Sequence, residues 1–265
     1  MVGSQSQSQS EAKGKLYIIG IGPGSVDHLT VKARDVIMNS DYIVGNGTYL
    51  DQMARLLDKQ EIVRSAMGKE VDRSRRAVEL AQNNIVSMIS GGDANVYGMA
   101  GLVLEVAEHA DLDVEVEVLP GVTAITAAAS VLGAPIVNDL CTVSLSDLLT
   151  PWEVIEKRLD AAASADFVMS LYNPKSRQRK SNFSRAVQII RRHKEDTVPV
   201  GLVKNALRDE DQDFIVTTLG NVMEYNEWVD MSTTILITTN DSHVWESPHG
   251  KKIITPRGYH RKYDY

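Results

Sequence analysis

One run, Leu16–Gly24 (LYIIGIGPG), constrains the fold more than any other stretch of the chain. The apolar residues packed from Leu16 to Ile21 predict a strand buried on both faces, the kind found in parallel sheets. The glycines after it predict a tight strand-to-helix turn. In a dinucleotide-binding fold this turn reads Gly-x-Gly-x-x-Gly, and its backbone N–H groups cradle a pyrophosphate. Here Gly20 and Gly22 are followed by Ser25 in place of the third glycine. Pro23 removes one of the N–H donors. About 20 residues on, where an acid would hold a ribose, the second strand ends in Val44, Gly45 and Asn46. The turn therefore predicts contact with a ligand that is not held by its phosphates.

Beyond this run the chain alternates strand and helix patterns, the mark of α/β layering. Strands are predicted at Leu16–Ile21, Tyr42–Val44, Ile62–Val63, Ile85–Ile89 and Val114–Val118. The helical patterns between them are Leu29–Met38, Tyr49–Leu57, Glu70–Gln82 and Met99–His109, with Asp27 or Thr30 able to cap the first. An alanine-rich helix, Thr123–Leu132, follows the Pro120-Gly121 turn. After Gly133-Ala134-Pro135 come strand Thr142–Leu145, helix Trp152–Ala163, strand Phe167–Leu171, helix Asn182–His193 and strands Val198–Val203, Phe214–Thr218 and Thr233–Thr239. The simplest reading is two α/β domains with an interdomain cleft, a parallel sheet in the N-terminal domain and a mixed sheet in the C-terminal one. Placing the boundary at the Gly-Ala-Pro gives a disordered tail over 1–14, then domains over 15–134 and 135–265. The tail, with its Ser/Gln alternation, lacks the apolar segment of a signal peptide.

Bulk properties narrow the function. A net charge of −7 argues against a nucleic-acid partner, and no apolar stretch reaches the roughly 18 residues of a membrane span. The lone Cys141 excludes an intramolecular disulfide and fits the cytoplasm. The six histidines lack the spacing of a metal site. Basic residues nonetheless cluster, at Arg64–Arg76, at Lys175–Arg185 and at Lys251–Lys262. Most read as solvated faces, but one such cluster can line a site for an anionic small molecule.

Four loops fall at predicted strand ends, where open α/β sheets bind ligands. They are Gly22-Pro23-Gly24, Ser90-Gly91-Gly92-Asp93, Pro120-Gly121-Val122-Thr123-Ala124 and Leu171-Tyr172-Asn173-Pro174. Each alone is a common turn or cap; Asp93 and Thr123 are also the residue types that cap helices. Their joint placement carries the weight.

The series GIGPGSVDHLT, GGDANVYGMAG, PGVTAITAAASVLGAP, SLYNPKSR and TPRGYHRKY, in this order between Lys15 and Tyr263, resembles the tetrapyrrole methylases. Its Tyr-Asn-Pro and Thr-Pro-Arg-Gly-Tyr motifs are similar to those of the branch that methylates C-17 of precorrin-3B or its cobalt form and contracts the ring during cobalamin synthesis. One departure is Ala94 after Asp93, where the family carries proline; it leaves the shape of that loop open. The resemblance implies S-adenosylmethionine as cofactor, folded between the domains. Its neighbours would be Pro23, Gly92, Asp93, Val96, Thr123, Ala124, Tyr172, Asn173, Ala206 and Thr234. It also implies a precorrin-type tetrapyrrole as substrate and a homodimeric state; the scattered histidines predict no metal site in the protein.

A sulfonium is an activated methyl donor, so no enzyme nucleophile is required and Cys141 reads as a core thiol. Ring contraction needs proton transfers, for which Asp27, His28, Thr48, Tyr49 and Tyr97 are the candidates. The substrate's carboxylates would meet Lys175, Arg177 and Arg257, with Pro23 and Gly24 facing the macrocycle. Other methylases of the same pathway, and a nucleotide-dependent oxidoreductase, remain the alternatives; the missing third glycine and ribose acid weigh against the latter.

Overall fold

The fold is that of a computed structural model, which describes residues 14–264. The expected tail lies outside the described residues except for Gly14. The chain divides into two compact units at Thr123–Ala124.

In the first unit, strands β1 (Lys15–Gly20), β2 (Tyr42–Asn46), β3 (Glu61–Ser65), β4 (Ile85–Ser90) and β5 (Glu115–Leu119) alternate with helices α1 (Val31–Asn39), α2 (Gly47–Gln52), α3 (Glu70–Leu80) and α4 (Ala100–Ala110). The sheet order is β3-β2-β4-β1-β5, with every pair parallel. The unbroken apolar run of β1 is explained by burial on both faces. Leu16 and Ile18 join Val86, Met88 and the α3–α4 residues Ala77, Val78 and Val103, while Ile19 packs with Ile43, Ile89 and the α1 residues Ala33 and Ile37. Each fully buried Leu or Ile contributes roughly 1.5–3 kcal/mol of transfer free energy. Of the two proposed caps for α1, Thr30 serves: its hydroxyl accepts from Ala33 N at 3.2 Å, whereas Asp27 sits in a preceding 3-10 turn. Because β4, β1 and β5 are adjacent, the loops that leave their carboxyl ends are also adjacent.

The second unit opens with α5 (Ala124–Leu132) and β6 (Gly133–Ala134). Its main sheet contains β7 (Leu140–Ser144), β8 (Val168–Tyr172), β9 (Pro199–Lys204), β10 (Asp213–Thr218) and β11 (Thr233–Ile237), with α6 (Trp152–Ser164) and α7 (Asn182–Ile190). The order β10-β9-β11-β8-β7 is mixed, as expected: only β7 and β8 run parallel. Phe183, Val187, Ile155 and Leu159 of the two helices cover Val200, Leu202, Ile235 and Ile237. Lys194 is completely buried at the edge of this core, where its ammonium donates to Asp166 and to Thr238 O (2.9 Å).

Two features differ from the sequence reading. The boundary falls before α5, eleven residues ahead of Ala134, because α5 packs onto the second sheet. Gly201 provides the room: a Cβ there would lie 2.2 Å from Leu132 Cδ1. The Gly133-Ala134-Pro135 segment is consequently a structural edge rather than a domain boundary. It forms β6, which pairs in parallel with β13 (Gly250–Ile254), itself hairpinned to β12 (His243–Ser247). That hairpin went unread because Pro248, Gly250 and the lysines at 251 and 252 obscure its alternation. Thr255 Oγ1 donates to Pro135 O at 2.7 Å, closing the edge.

Candidate active site

Glycine backbone holds three loops of the first unit together. Gly22 and Gly92 form an antiparallel bridge, with Gly22 N donating to Gly92 O (3.0 Å) and Gly92 N to Gly22 O (2.8 Å). Both residues have positive φ, 73° and 66°, which glycine adopts without strain. Gly121 lies so close to the other two loops that a Cβ on it would be 2.3 Å from Gly92 O and 2.5 Å from Gly20 O. Asp93 completes the clamp: its carboxylate accepts from Gly121 N (3.0 Å) and from Asn95 N (2.8 Å). Asp93 thus does not cap α4; the amide of Met99 at that helix start is met by Ser90 Oγ instead. The bridge also consumes the amides of Gly22 and Gly92 that a phosphate cradle would need, which agrees with the misfit of the turn to dinucleotide chemistry.

Two of the proton-transfer candidates are tied to this clamp. The carbonyl oxygen of His28 lies 3.1 Å from where a Gly22 Cβ would stand, and the His28 Nδ1 is buried with no hydrogen-bond partner. The ring of Tyr49 rests on Gly91, occupying the space of its missing side chain (2.5 Å to ring Cζ). Asp27 and Thr48 are exposed, and the Asp27 amide donates to Ser25 Oγ at 3.4 Å just after the first loop. Tyr97 has the positive φ of 53° and is half exposed.

In the second unit, Tyr172 ends β8 and Asn173 follows it. The Tyr172 hydroxyl accepts from Ile125 N at 2.9 Å, fixing the first turn of α5, and Asn173 Nδ2 donates to Ser144 Oγ at 3.0 Å. Ala206, after β9, and Thr234, paired with Val203 on β11, are both buried. Thr123 and Ala124 flank the division between the units. Sequence reasoning missed two residues beside Ala206: Asn205 (φ 46°) and Leu207 (φ 59°) are both left-handed, as is Asn173 (φ 51°). Such strain in a bulky residue gathers at functional loops. The signal that could have found Asn205 is that asparagine tolerates this conformation after a strand.

Of the substrate candidates, Lys175 is half committed: its ammonium donates to Asn226 O (2.8 Å) and pairs with Glu227 (3.2 Å). Arg177 lines a recess of about 590 Å³ with Lys175 and Lys180, whereas Arg257 is exposed and lines no part of it. Across the recess, burial works against the charge of Asp230, but Ser232 and Lys204 outweigh it and hold that carboxyl below the ordinary aspartate range. Two members of the Arg64–Arg76 cluster are spent on structure. Arg64 pairs with Asp51 (2.6 Å), and the buried Arg73 donates to Ser65 Oγ (2.6 Å). Cys141 is half-buried, and burial pushes its thiol pKa up. Among the described residues no group of His, Cys, Asp or Glu could hold a metal ion, and no helix is long and apolar enough to cross a membrane.

The model of the Tetrapyrrole (Corrin/Porphyrin) Methylases matches residues 15–223. A "Probable cobalt-factor III C(17)-methyltransferase" of Salmonella typhimurium is 44% identical over 92% of this chain and 99% of that protein. A "Cobalamin biosynthesis protein CbiHC" of Archaeoglobus fulgidus is 46% identical over 96% of this chain and 54% of that protein. The chain spans about half the length of this relative and of the similarly identical "Cobalt-factor III methyltransferase" of Priestia megaterium. The crystal structure of "the methyltransferase CobJ" superimposes with a TM-score of 0.84 at 32% identity, over 92% of this chain and all of that one. By sequence and by fold, this chain belongs to the tetrapyrrole (corrin/porphyrin) methylases, which take their methyl group from S-adenosylmethionine.

Proposed function

We propose that this chain methylates C-17 of precorrin-3B, or of its cobalt-bearing form, and contracts the macrocycle in the synthesis of cobalamin. The observation that carries this reading is the clamp of three glycine-backed loops at the ends of β4, β1 and β5. It offers a ligand bare backbone and a proline-bearing rim while its bridging amides are already spent, a surface suited to a cofactor without phosphates. Pro23, Gly92, Asp93, Val96 and Thr123 are the cofactor contacts of the first unit, and Ala124, Tyr172, Asn173, Ala206 and Thr234 those of the second. Bound S-adenosylmethionine supplies a methyl on a positively charged sulfur, so the residues here need only align the acceptor carbon and keep water away.

The acceptor is an electron-rich ring carbon, and the protein's remaining task is to move protons during ring contraction. His28 is the strongest of the candidates, because its buried Nδ1 has no partner within the protein and its backbone packs on the Gly22 turn. Tyr49, held on Gly91, is the second. Lys175, Arg177 and Arg257 meet substrate carboxylates, and Pro23 and Gly24 face the macrocycle. The same reading makes the enzyme a cytoplasmic homodimer.

The test is incubation of the purified chain with S-adenosylmethionine and precorrin-3B or its cobalt form, followed by mass spectrometry and absorption spectroscopy. One added methyl and the spectrum of a contracted ring are expected. Methylation at another carbon would reject the C-17 assignment. In His28→Ala, methyl gain is expected to persist while contraction slows; equal rates of both steps in the variant and wild type would remove His28 from the mechanism.

A further inference from the structure

A basic recess of the second unit follows Asn173 in the chain and holds Lys175 and Arg177, two of the residues assigned above to substrate carboxylates. One wall is the segment after β8, with Lys175, Arg177 and Lys180; the other is the segment leading into β11, with Glu227, Asp230 and Met231. Its volume of about 590 Å³ falls within the range of small-molecule pockets. The two acids are already engaged. Asp230 pairs with Lys204 at 3.0 Å and accepts from Ser232, and Glu227 pairs with Lys175 and accepts from Asn226 Nδ2 at 2.7 Å. Arg177 and Lys180 have no acidic partner among the described residues. Behind them the Nε of Arg179 is buried without a hydrogen bond: the nearest acid, Asp147, is 3.8 Å away, and another guanidinium nitrogen rests on Met231 Sδ at 3.7 Å. Arg177 and Lys180 therefore leave cationic donors over on one surface, which calls for an anion from outside the chain.

A second observation says what kind of anion. Asp147 runs directly into Leu148 and Leu149, which are 75% and 94% exposed. Arg179 ties this segment toward the recess, since it pairs with Asp147 on one side and touches Met231 of the recess wall on the other. A simple phosphate or carboxylate gives the two leucines nothing to cover, whereas a flat apolar ring with carboxylate arms satisfies both surfaces. We propose that the recess receives the carboxylate arms along one edge of the tetrapyrrole, and that Leu148 and Leu149 cover the adjoining face of the ring. This rests on the methylase reading and extends it by naming where the second unit recognises substrate. The residues that do so are Arg177 and Lys180, with the leucine pair, while Arg179 holds the Asp147 segment in place; Arg257 takes no part in this contact.

The test measures porphyrin affinity by fluorescence, using octacarboxylic uroporphyrin III and tetracarboxylic coproporphyrin III, which share a ring and differ in acid count. The proteins are wild type, the double variant R177E/K180E, the double variant L148S/L149S and the control K157E, which reverses an exposed charge on α6. Wild type is expected to prefer uroporphyrin, the more so at low salt, and R177E/K180E to lose that preference with at least about a tenfold drop in affinity. L148S/L149S is expected to weaken both porphyrins alike. Calorimetric binding of S-adenosylmethionine, unchanged in every variant, verifies that each protein is folded. Uroporphyrin affinity in R177E/K180E within about twofold of K157E would overturn the proposal. So would leucine variants that bind as wild type while eluting as a smaller species in gel filtration, since the leucines would then belong to a contact between copies. Methyl transfer to precorrin-3B is scored separately. A wild type that methylates while R177E/K180E keeps its KM sinks the recess and leaves the activity reading. A wild type that binds uroporphyrin through the recess but transfers no methyl group does the reverse.

Discussion

Substituting alanine for Gly121 tests the loop clamp at its tightest point. The new Cβ would lie 2.3 Å from Gly92 O and 2.5 Å from Gly20 O, closer than Cβ atoms approach non-bonded atoms. Both obstacles are backbone atoms at strand ends, so the turn itself has to move. A shift large enough to relieve the clash stretches the 3.0 Å bond from Gly121 N to Asp93 beyond useful range. Overpacking costs about 1–3 kcal/mol, and loss of a hydrogen bond to a charged acceptor about 1.5–3 more. The total of roughly 2.5–6 kcal/mol is a large part of the 5–15 kcal/mol that typically holds a protein folded. The matched control is Gly101→Ala in α4, where a Cβ meets nothing within 4 Å. That change is expected to stabilise by about 0.5–1 kcal/mol. Urea unfolding followed by circular dichroism gives the stabilities, and calorimetry gives the affinity for S-adenosylmethionine. G121A is expected to be destabilised and to bind the cofactor poorly, with G101A stabilised and binding unchanged. If G121A lies within about 0.5 kcal/mol of wild type and binds normally, the three loops are not clamped through glycine backbone and the account of the site fails.

Three further outcomes follow from the second unit. Tyr172→Phe removes the hydroxyl that accepts from Ile125 N, and is expected to cost about 1–2 kcal/mol and to raise hydrogen exchange in the first turn of α5; unchanged exchange there would contradict the pairing. Lys194→Ala empties a fully buried volume, removes the cation paired with Asp166 and takes a donor from Thr238 O, so a loss of about 2–5 kcal/mol is expected in thermal unfolding, and a Tm equal to wild type would refute the role. Burial raises the Cys141 pKa, which leaves less thiolate at any given pH. Its reaction with a disulfide reagent near about pH 8 should be slower than in the urea-unfolded chain and keep climbing above the usual thiol range; equal rates in the two states would show that the thiol is not protected.

The legible parts of the sequence were those where local pattern and burial agree. The β1 run reads correctly because a strand covered on both faces needs apolar residues at every position, as Leu16, Ile18 and Ile19 show. The β12–β13 hairpin was missed because it lies at the surface, where Lys251, Lys252 and Pro248 are tolerated and alternation disappears. Gly133-Ala134-Pro135 has the composition of a hinge, and only the docking of Leu132 over Gly201 makes it an edge strand. Among the site candidates, nothing local distinguishes His28 and Tyr49, which pack on Gly22 and Gly91, from Asp27 and Thr48, which stand in solvent.

By itself the sequence determined the α/β class, the family and the unsuitability of the Gly22-Pro23-Gly24 turn for phosphate, because each depends on residue type and spacing along the chain. Tertiary structure alone decided that Asp93 works as a clamp on Gly121, that α5 belongs to the second unit, and that Arg177 and Lys180 line one recess without an acidic partner among the described residues. The reason is physical: whether a donor is satisfied, or a glycine is indispensable, depends on atoms that approach from distant parts of the chain. For Gly121 those atoms are the carbonyl oxygens of Gly20 and Gly92, and folding alone brings them within reach.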